Sequence, residues 1–412
     1  MKYLIIGASH AGIACVEGIR SQDAEGQITL LSKEGHRPYG RPLISYYLEG
    51  KTDLEHISYR PESFFADHGA ELRLNTEVLS IDAAQKTVRT AAGEEIPYDK
   101  LLVATGSVPF VPPMEGLESV EKKAGFLNLD DALRLESLIN EKSRVLIIGA
   151  GLIGTKCAEG IAERVASVSI VEMMPRVLPA VLDEDCAAIV QAKMEENNCR
   201  FYLGDSVERF TGNSAKLKSG ETVEFDVLVL AVGVRPNTAL LQAAGAEIAR
   251  GVKVDSHMQT SLPGVYAAGD LTLSHDVSDG GSEKVLAVLP NAYTQGYTAG
   301  QNMAGLASNF ENAFPMNAGG FFGLHLITAG SYQGECLILP NEGGVKKLFI
   351  KDDRLVGYLL LGDVRRAGIY TSLIRDQTPL STIDFGLIAQ KPQLMAFSKA
   401  ERAKMLAGGN KA

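Results

Sequence analysis

The chain has 412 residues, too many for one ordinary core, so its length sets an expectation of about two to four domains. Lys and Arg number 40 against 50 Asp and Glu, a net charge of −10 that argues against a nucleic-acid binder or a basic membrane-surface protein. Five scattered cysteines show no metal-ligand spacing, no apolar run approaches the roughly 18 residues of a membrane span, and no signal peptide is visible, so a soluble cytoplasmic protein without a metal centre is expected.

The first elements form one phosphate-binding unit. The apolar run KYLII (2–6) predicts a strand, Gly7-x-Ser9-x-x-Gly12 a tight turn into a helix, and ITLL (28–31) a second strand. In such a βαβ unit Gly7 serves the turn, Ser9 lets the backbone approach a pyrophosphate, Gly12 packs helix on strand, and the helix N-terminus faces the phosphates. Cys15, on that helix, reads as a small packing residue, as does Cys157 further on. Glu34, 22 residues past Gly12, is either the acidic group for a ribose or a solvated loop carboxylate. YDKLLVATGSVP (98–109) reads as an apolar strand ending at Ala104, Thr105 and Gly106, and the proline-rich VPFVPPMEG (108–116) as a stiff crossover.

The unit then recurs. Strand RVLII (144–148) leads into Gly149-x-Gly151-x-x-Gly154, a helix to about Glu163, and strand SVSIVE ending at Glu172, 18 residues beyond the last glycine. An acidic residue there accepts from ribose hydroxyls and repels a phosphate. With Met173 and Met174 uncharged the pattern favours NAD, while Arg176 keeps NADP open. FDVLVLAVGVRPN (225–237), with Gly233, repeats the shape of the ATG strand, and PGVYAAGD (263–270) sets Gly269 and Asp270 behind a short strand, where the carboxylate faces a ligand or caps a helix. Two dinucleotide folds imply two dinucleotides, a bound flavin and a diffusible nicotinamide.

Together these motifs resemble the flavin-dependent pyridine nucleotide-disulfide oxidoreductase superfamily over nearly the whole chain. The resemblance implies an α/β fold with two Rossmann-like dinucleotide-binding domains, for FAD and NAD, plus a C-terminal α+β interface domain. The implied FAD domain is discontinuous, 1–112 and 246–312, the NAD domain covers 113–245, and the interface domain, which in the family supplies a homodimer contact, covers 313–412. In the family the position of Asp270 hydrogen-bonds the ribityl chain of FAD, and the helix matching NAYTQGYTAGQNMAG (291–305) begins at the flavin pyrimidine ring. The polar tail after Lys404 is expected to fray.

Three positions, Pro42, Lys156 and His10, carry the candidate catalytic chemistry. GASHAG (7–12) is similar to the turn of NADH peroxidases that sets a histidine beside a reactive thiol. RPLISYYLEGK (41–51) puts Pro42 where that cysteine stands, which removes thiolate, sulfenic-acid and mixed-disulfide chemistry and leaves His10 as a lining residue. PYGRPLIS (38–45) is similar instead to a stretch of rubredoxin and ferredoxin reductases of the superfamily. That likeness implies that Arg41 contacts the FAD phosphates and Pro42 packs at the flavin, the alternative being a rigid surface turn. Tyr46 replaces a lysine, and Lys156 a glutamate, of the family pattern; Lys156 either steadies negative charge on reduced flavin or snorkels.

The resemblance therefore implies hydride transfer from NADH to FAD and delivery of electrons to a small iron–sulfur or rubredoxin-type carrier. The rivals are an NADH-oxidising subunit of a larger complex, an NADH oxidase or peroxidase, and a redox-sensing interaction flavoprotein. An acidic carrier calls for a positive patch, and VKKLFIKDDR (345–354) with Arg365 and Arg366 is the candidate, the alternative being a solvated face.

Overall fold

Strand Lys2–Ile6 is buried along four of its five residues, the near-continuous apolar run of a parallel strand covered on both faces. In the computed structural model, which describes residues 1–399 and 402–403, it lies at the middle of a five-stranded parallel sheet. The order is Val265–Ala267, Lys100–Val103, Lys2–Ile6, Gln27–Leu31, Ala70–Arg73. The tail after Lys404 lies outside the described residues. Helix α1 (His10–Arg20) makes the first crossover, and α2 (Leu43–Leu48) starts from Pro42. Because the second and fourth strands flank the first, chain order reverses at Ile6, and the crevice beyond such a strand end is where open parallel sheets bind ligands. Gly7 turns away there at φ 108°, and a Cβ at this position would meet the Ala104 carbonyl oxygen at 2.2 Å.

A second parallel sheet repeats the plan in the order Cys199–Leu203, Ser167–Glu172, Arg144–Ile148, Val227–Leu230, Lys123–Ala124. Helices α3 (Leu129–Leu138) and α4 (Leu152–Ile161) belong to this half. Gly149 has φ 106°, and a Cβ there would meet the Ala231 carbonyl oxygen at 2.4 Å, the same constraint met by the same residue type. The repetition also goes further than the two glycine turns visible in the sequence. A three-stranded antiparallel meander precedes Lys100–Val103 in the first copy (Val78–Asp82, Thr87–Thr90, Glu95–Pro97) and Val227–Leu230 in the second (Val207–Thr211, Ser214–Leu217, Thr222–Glu224). The two crossings between the halves pair as an antiparallel ribbon, Ser107–Pro109 with Val234–Pro236.

Helix α5 (Leu289–Met303) returns to the first sheet and packs on α1 backbone to backbone. A Cβ on Gly296 would fall 2.1 Å from the Ala11 carbonyl oxygen, one on Gly300 2.3 Å from that of Cys15, and one on Gly18 2.2 Å from that of Tyr297. Cys15 and Cys157 are fully buried.

Packing divides the chain into a unit of Met1–Leu273 with Leu289–Phe310, holding both parallel sheets, and a unit of Ser274–Val288 with Glu311–Ala412. The second unit is an antiparallel sheet ordered Met316–Phe321, Leu324–Gly330, Arg354–Leu361, Gly344–Lys351, Glu335–Asn341, with helix Ala367–Arg375 packed through Tyr370 on Tyr358. Residues 274–288, drawn above within 246–312, pack in this unit: the Val277 N–H donates to the Ala313 carbonyl and the Gln333 amide to Asp279.

The expected positive patch is corrected by the structure. Lys346 and Lys347 are only 7% and 5% exposed, and Lys346 donates to the carbonyls of Ala389 and Gln390. Arg365 is engaged by Asp363 and Glu342, and Arg366 donates to the Pro392 carbonyl. Lys346 and Lys347 are thereby withdrawn from the surface, while Arg365 stays exposed with its charge met by two carboxylates. Among the described residues no helix is long and apolar enough to cross a membrane.

Gly296→Ala forces α5 away from α1 and is expected to destabilise the protein by about 2–3 kcal/mol. Gly368→Ala, where a Cβ meets open space on a helix, is expected to be neutral or slightly stabilising. Urea unfolding midpoints of the two variants, taken together, check the assignment.

Candidate functional site

A cavity of 820 Å³ opens at the strand-order reversal of the first sheet, within the range of small-ligand sites. Gly7 and Ser9 from the first turn, Ala104, Thr105 and Gly106 from the end of Lys100–Val103, and Gly269 from the loop after Val265–Ala267 line it. Ser9 precedes α1 in an extended conformation and makes no side-chain cap, so its hydroxyl leaves the first-turn N–H groups to another acceptor. Gly106 has φ 63°, and a Cβ there would stand in open space. Gly12 lies outside the lining and packs against the turn itself, where a Cβ would be 1.9 Å from the Gly7 carbonyl oxygen. Helix N-terminus, bare backbone and a guanidinium together form a donor set that fits a pyrophosphate.

That guanidinium is Arg41. Its Nη2 pairs with Glu34 Oε1, its Nε reaches Ser9 Oγ at 3.3 Å, and its Nη1 lies 3.5 Å from both the Tyr39 hydroxyl and the Leu127 carbonyl. Glu34 also accepts from the Tyr39 hydroxyl at 2.9 Å, so both its oxygens are engaged within the cavity wall. Tyr39 in turn accepts the Leu129 N–H at 2.8 Å, at the start of α3. Leu127, Asn128 and Asp130 thereby complete the wall of a cavity built mainly by the first sheet. The sequence carried no signal for this contact, because Tyr39 and Leu129 are 90 residues apart.

Opposite, the Asp270 carboxyl is raised by burial, against the pull of Arg41 and a hydrogen bond from Ser107. The preceding Gly269 N–H donates to Gln295 Oε1 at 2.7 Å, and the same oxygen accepts from the Thr272 hydroxyl. Gln295 and Thr272 are buried and were not singled out from the sequence.

His10 lines the cavity, 7% exposed, with its ring 4.1 Å from that of Tyr59 and its Nδ1 3.3 Å from Ser9 Oγ. Burial first, then the positive charges of Arg41 and Arg60, lower its pKa to about 4. The Arg60 guanidinium stacks on Tyr59 and pairs with Glu17, which also accepts from the Tyr293 hydroxyl. His10 is therefore uncharged near neutrality.

The remaining candidates lie outside this cavity. In the second turn the Ala150 N–H donates to Glu172 Oε2 and the Met174 N–H to Oε1, each at 2.8 Å, which holds the carboxylate beside Gly149, Gly151 and Gly154. Arg176 is turned to the carbonyls of Leu182 and Pro179. Gly233 has φ 105° at the matching strand end and its carbonyl accepts from the Phe110 N–H. Pro42 (φ −63°) caps α2, which packs on α4, and on α4 the Lys156 ammonium pairs with Glu159.

The family model of the pyridine nucleotide-disulphide oxidoreductases matches residues 1–296. The chain is 33% identical over 401 residues to the NADH-dependent phenylglyoxylate dehydrogenase subunit epsilon of Aromatoleum evansii, covering 94% of each. It is 31% identical over 314 residues to the rubredoxin-NAD(+) reductase of Pseudomonas putida, covering 75% of this chain and 81% of that one. The crystal structure of the ferredoxin reductase for the CYP199A2 system from Rhodopseudomonas palustris superposes with a TM-score of 0.85 at 26% identity, covering 92% and 95% of the two chains.

The lowered pKa of His10 has a direct consequence for stability. As pH falls through 6.5 the unfolded chain takes up this proton, while the folded chain does not until about 4, so stability declines across that window. The loss amounts to about 3 kcal/mol. His10→Phe keeps an aromatic ring against Tyr59 and is expected to lack this part of the decline, which denaturant unfolding at pH 6.5 and pH 4.5 measures; parallel profiles would contradict the assignment.

Proposed function

The chain belongs to the pyridine nucleotide-disulphide oxidoreductase family, and on that premise we propose that it is a cytoplasmic NADH:acceptor oxidoreductase serving a small iron–sulfur or rubredoxin-type electron carrier. It is an FAD-containing NAD(P)H oxidoreductase, and no redox-active cysteine takes part. FAD, when bound, accepts hydride from NADH and releases electrons singly.

The observation that carries the reading is the pairing of two glycine-turn reversals in one unit with a cavity that holds no reachable thiol. Residue 42 is proline, and Cys15 on the adjoining helix is fully buried, its thiol pushed far up by that burial. In this reading the first-turn N–H groups of α1, with Gly7, Ser9 and Arg41, hold the FAD phosphates, and Gly12 lets the helix pack close against that turn. Glu34 orients Arg41, the strand ends at Ala104, Thr105 and Gly106 and at Gly269 and Asp270 hold the rest of the cofactor, and neutral His10 excludes water beside it, while Pro42, outside the lining, starts α2. Gly149, Gly151, Gly154 and Gly233 receive the nicotinamide dinucleotide, and Glu172, already oriented by two backbone donors, accepts from its ribose hydroxyls. Arg176, spent on carbonyls, leaves that ribose without a partner for a 2′-phosphate, which supports NADH over NADPH. The domain plan places FAD over 1–112 and 246–312 apart from 274–288, which pack with the C-terminal unit, NAD over 113–245, and a homodimer contact from 313–412.

One second reading has a specific observation behind it. The similarity to a dehydrogenase subunit runs over 94% of both chains, so the same residues suit an NADH-oxidising flavoprotein held in a larger complex. Co-purification from the native cell at fixed stoichiometry separates it from a diffusing carrier.

The test is an anaerobic NADH titration of the purified protein, followed by visible absorbance. NADH is expected to bleach a yellow flavin, and rubredoxin or a small ferredoxin to restore the colour faster than oxygen or peroxide does. Glu172→Ala is expected to raise the NADH dissociation constant about tenfold or more while changing that for NADPH far less. Colourless protein, or faster reoxidation by peroxide, would overturn the reading.

A further inference from the structure

Tyr46 and Lys156 meet across the seam between the two dinucleotide-binding halves. Helices α2 and α4 approach so closely that a Cβ on Gly160 would stand 2.9 Å from the Ser45 carbonyl oxygen and 3.3 Å from Leu48 Cβ. There the Lys156 ammonium lies 4.9 Å from the centroid of the Tyr46 ring, inside the range of a cation–π contact. Glu159, one turn along α4 and only 4% exposed, pairs with the same ammonium. A second ammonium, that of Lys51, lies 5.9 Å from the ring and pairs with Glu49.

Lys156 and Glu159 are on one helix, so their ion pair cannot join α4 to α2. The Tyr46 ring is the member of this contact that α2 supplies. α2 begins at Pro42, directly after Arg41 in the wall of the first cavity, and α4 begins directly after Gly151 of the second glycine turn. A slip of α4 along α2 is therefore a change in the spacing of the two turns.

We propose that Tyr46 is a positioning residue: its ring seats Lys156, and the seated pair sets the distance between the FAD cradle and the nicotinamide turn on which hydride transfer depends. The proposal rests on the functional reading above. Two lysines and two glutamates make the cluster neutral, so its action is geometric and its effect falls on the rate of hydride transfer, not on the reduction potential. An error of about 1 Å in such a spacing is enough to slow a reaction by one to two orders of magnitude.

The test uses the FAD-loaded protein as wild type, Tyr46→Phe, Tyr46→Leu, Lys156→Met and the Leu/Met double variant. Tyr46→Leu and Lys156→Met are each expected to slow anaerobic flavin reduction by saturating NADH about tenfold. The double variant is expected to be no slower than the slower single, Tyr46→Phe to keep the wild-type rate, and the flavin midpoint potential to stay constant in Tyr46→Phe and Tyr46→Leu, which leave the charge of the cluster unchanged. Urea unfolding of the same proteins adds a readout independent of turnover: the two losses in the unfolding constant fall short of multiplying by about threefold. Tyr46→Met, which removes the ring face, serves if the leucine variant does not fold. A wild-type rate in Tyr46→Leu, multiplying losses in the double variant, or a potential shifted by Tyr46→Leu would overturn the proposal. Wild-type flavin that NADH fails to bleach would overturn the functional reading and this one with it.

Discussion

The backbone contact between α1 and α5 is the constraint on which the site depends. Wherever these helices cross, one of them presents a glycine and the other a carbonyl, at Gly296 with Ala11, Gly300 with Cys15 and Gly18 with Tyr297. Any side chain at these points would separate the axes. The reason for such closeness lies at the ends of the helices. α1 starts from the glycine turn, and α5 carries Gln295, whose side-chain oxygen receives the Gly269 N–H and the Thr272 hydroxyl. One helix pair thereby sets both the phosphate turn and the loop of Asp270, two features 260 residues apart that have to face one ligand.

Within the cavity thus framed, charge is arranged economically. Arg41 is the guanidinium between two carboxylates, firmly paired with Glu34 and felt by Asp270 across the cavity. Its other contacts, 3.3 to 3.5 Å long, sit at the outer limit of hydrogen bonding. Those donors are the ones free to re-aim at an incoming anion, while the Glu34 pair keeps the guanidinium plane oriented. Tyr39 couples this arrangement to the other half of the unit, since the hydroxyl that donates to Glu34 also accepts the Leu129 N–H. The first cavity is in that sense completed by residues that follow the crossover.

Local chemistry was legible in the sequence and long-range assembly was not. The glycine turns, the strands around them and Glu172 could be read because each rests on a few consecutive residues whose backbone geometry admits few alternatives. Tyr39 with Leu129, Gln295 with Gly269 and Tyr46 with Lys156 are contacts between segments distant in sequence, and neither periodicity nor composition marks them. The lysines of 345–354 show a different limit. Adjacent residues on a strand point to opposite faces, so the burial of both Lys346 and Lys347 means that both faces of Gly344–Lys351 are covered. A charge run read as a surface is then misread at Lys346, whose long stem carries its ammonium group to the carbonyls of Ala389 and Gln390.

The same electrostatics bear on where electrons go. Peroxide reduction needs a proton delivered to the departing oxygen, and an efficient donor has a pKa near the working pH. His10 is the imidazole beside the first glycine turn in the cavity wall, and burial beside Arg41 and Arg60 keeps it deprotonated down to about pH 4. Tyr59, its ring tilted against that imidazole, is shifted the other way, its phenol raised by burial. Neither group is poised to exchange a proton near neutrality, and Pro42 supplies no thiol to take the oxygen instead. A one-electron carrier asks for neither service: it requires only a bound, oriented cofactor and a path outward. The arrangement that would make a poor peroxidase is thus no handicap to a reductase of small redox proteins, and the lowered pKa of His10, the missing thiol and the tightly framed dinucleotide cavity become parts of one solution.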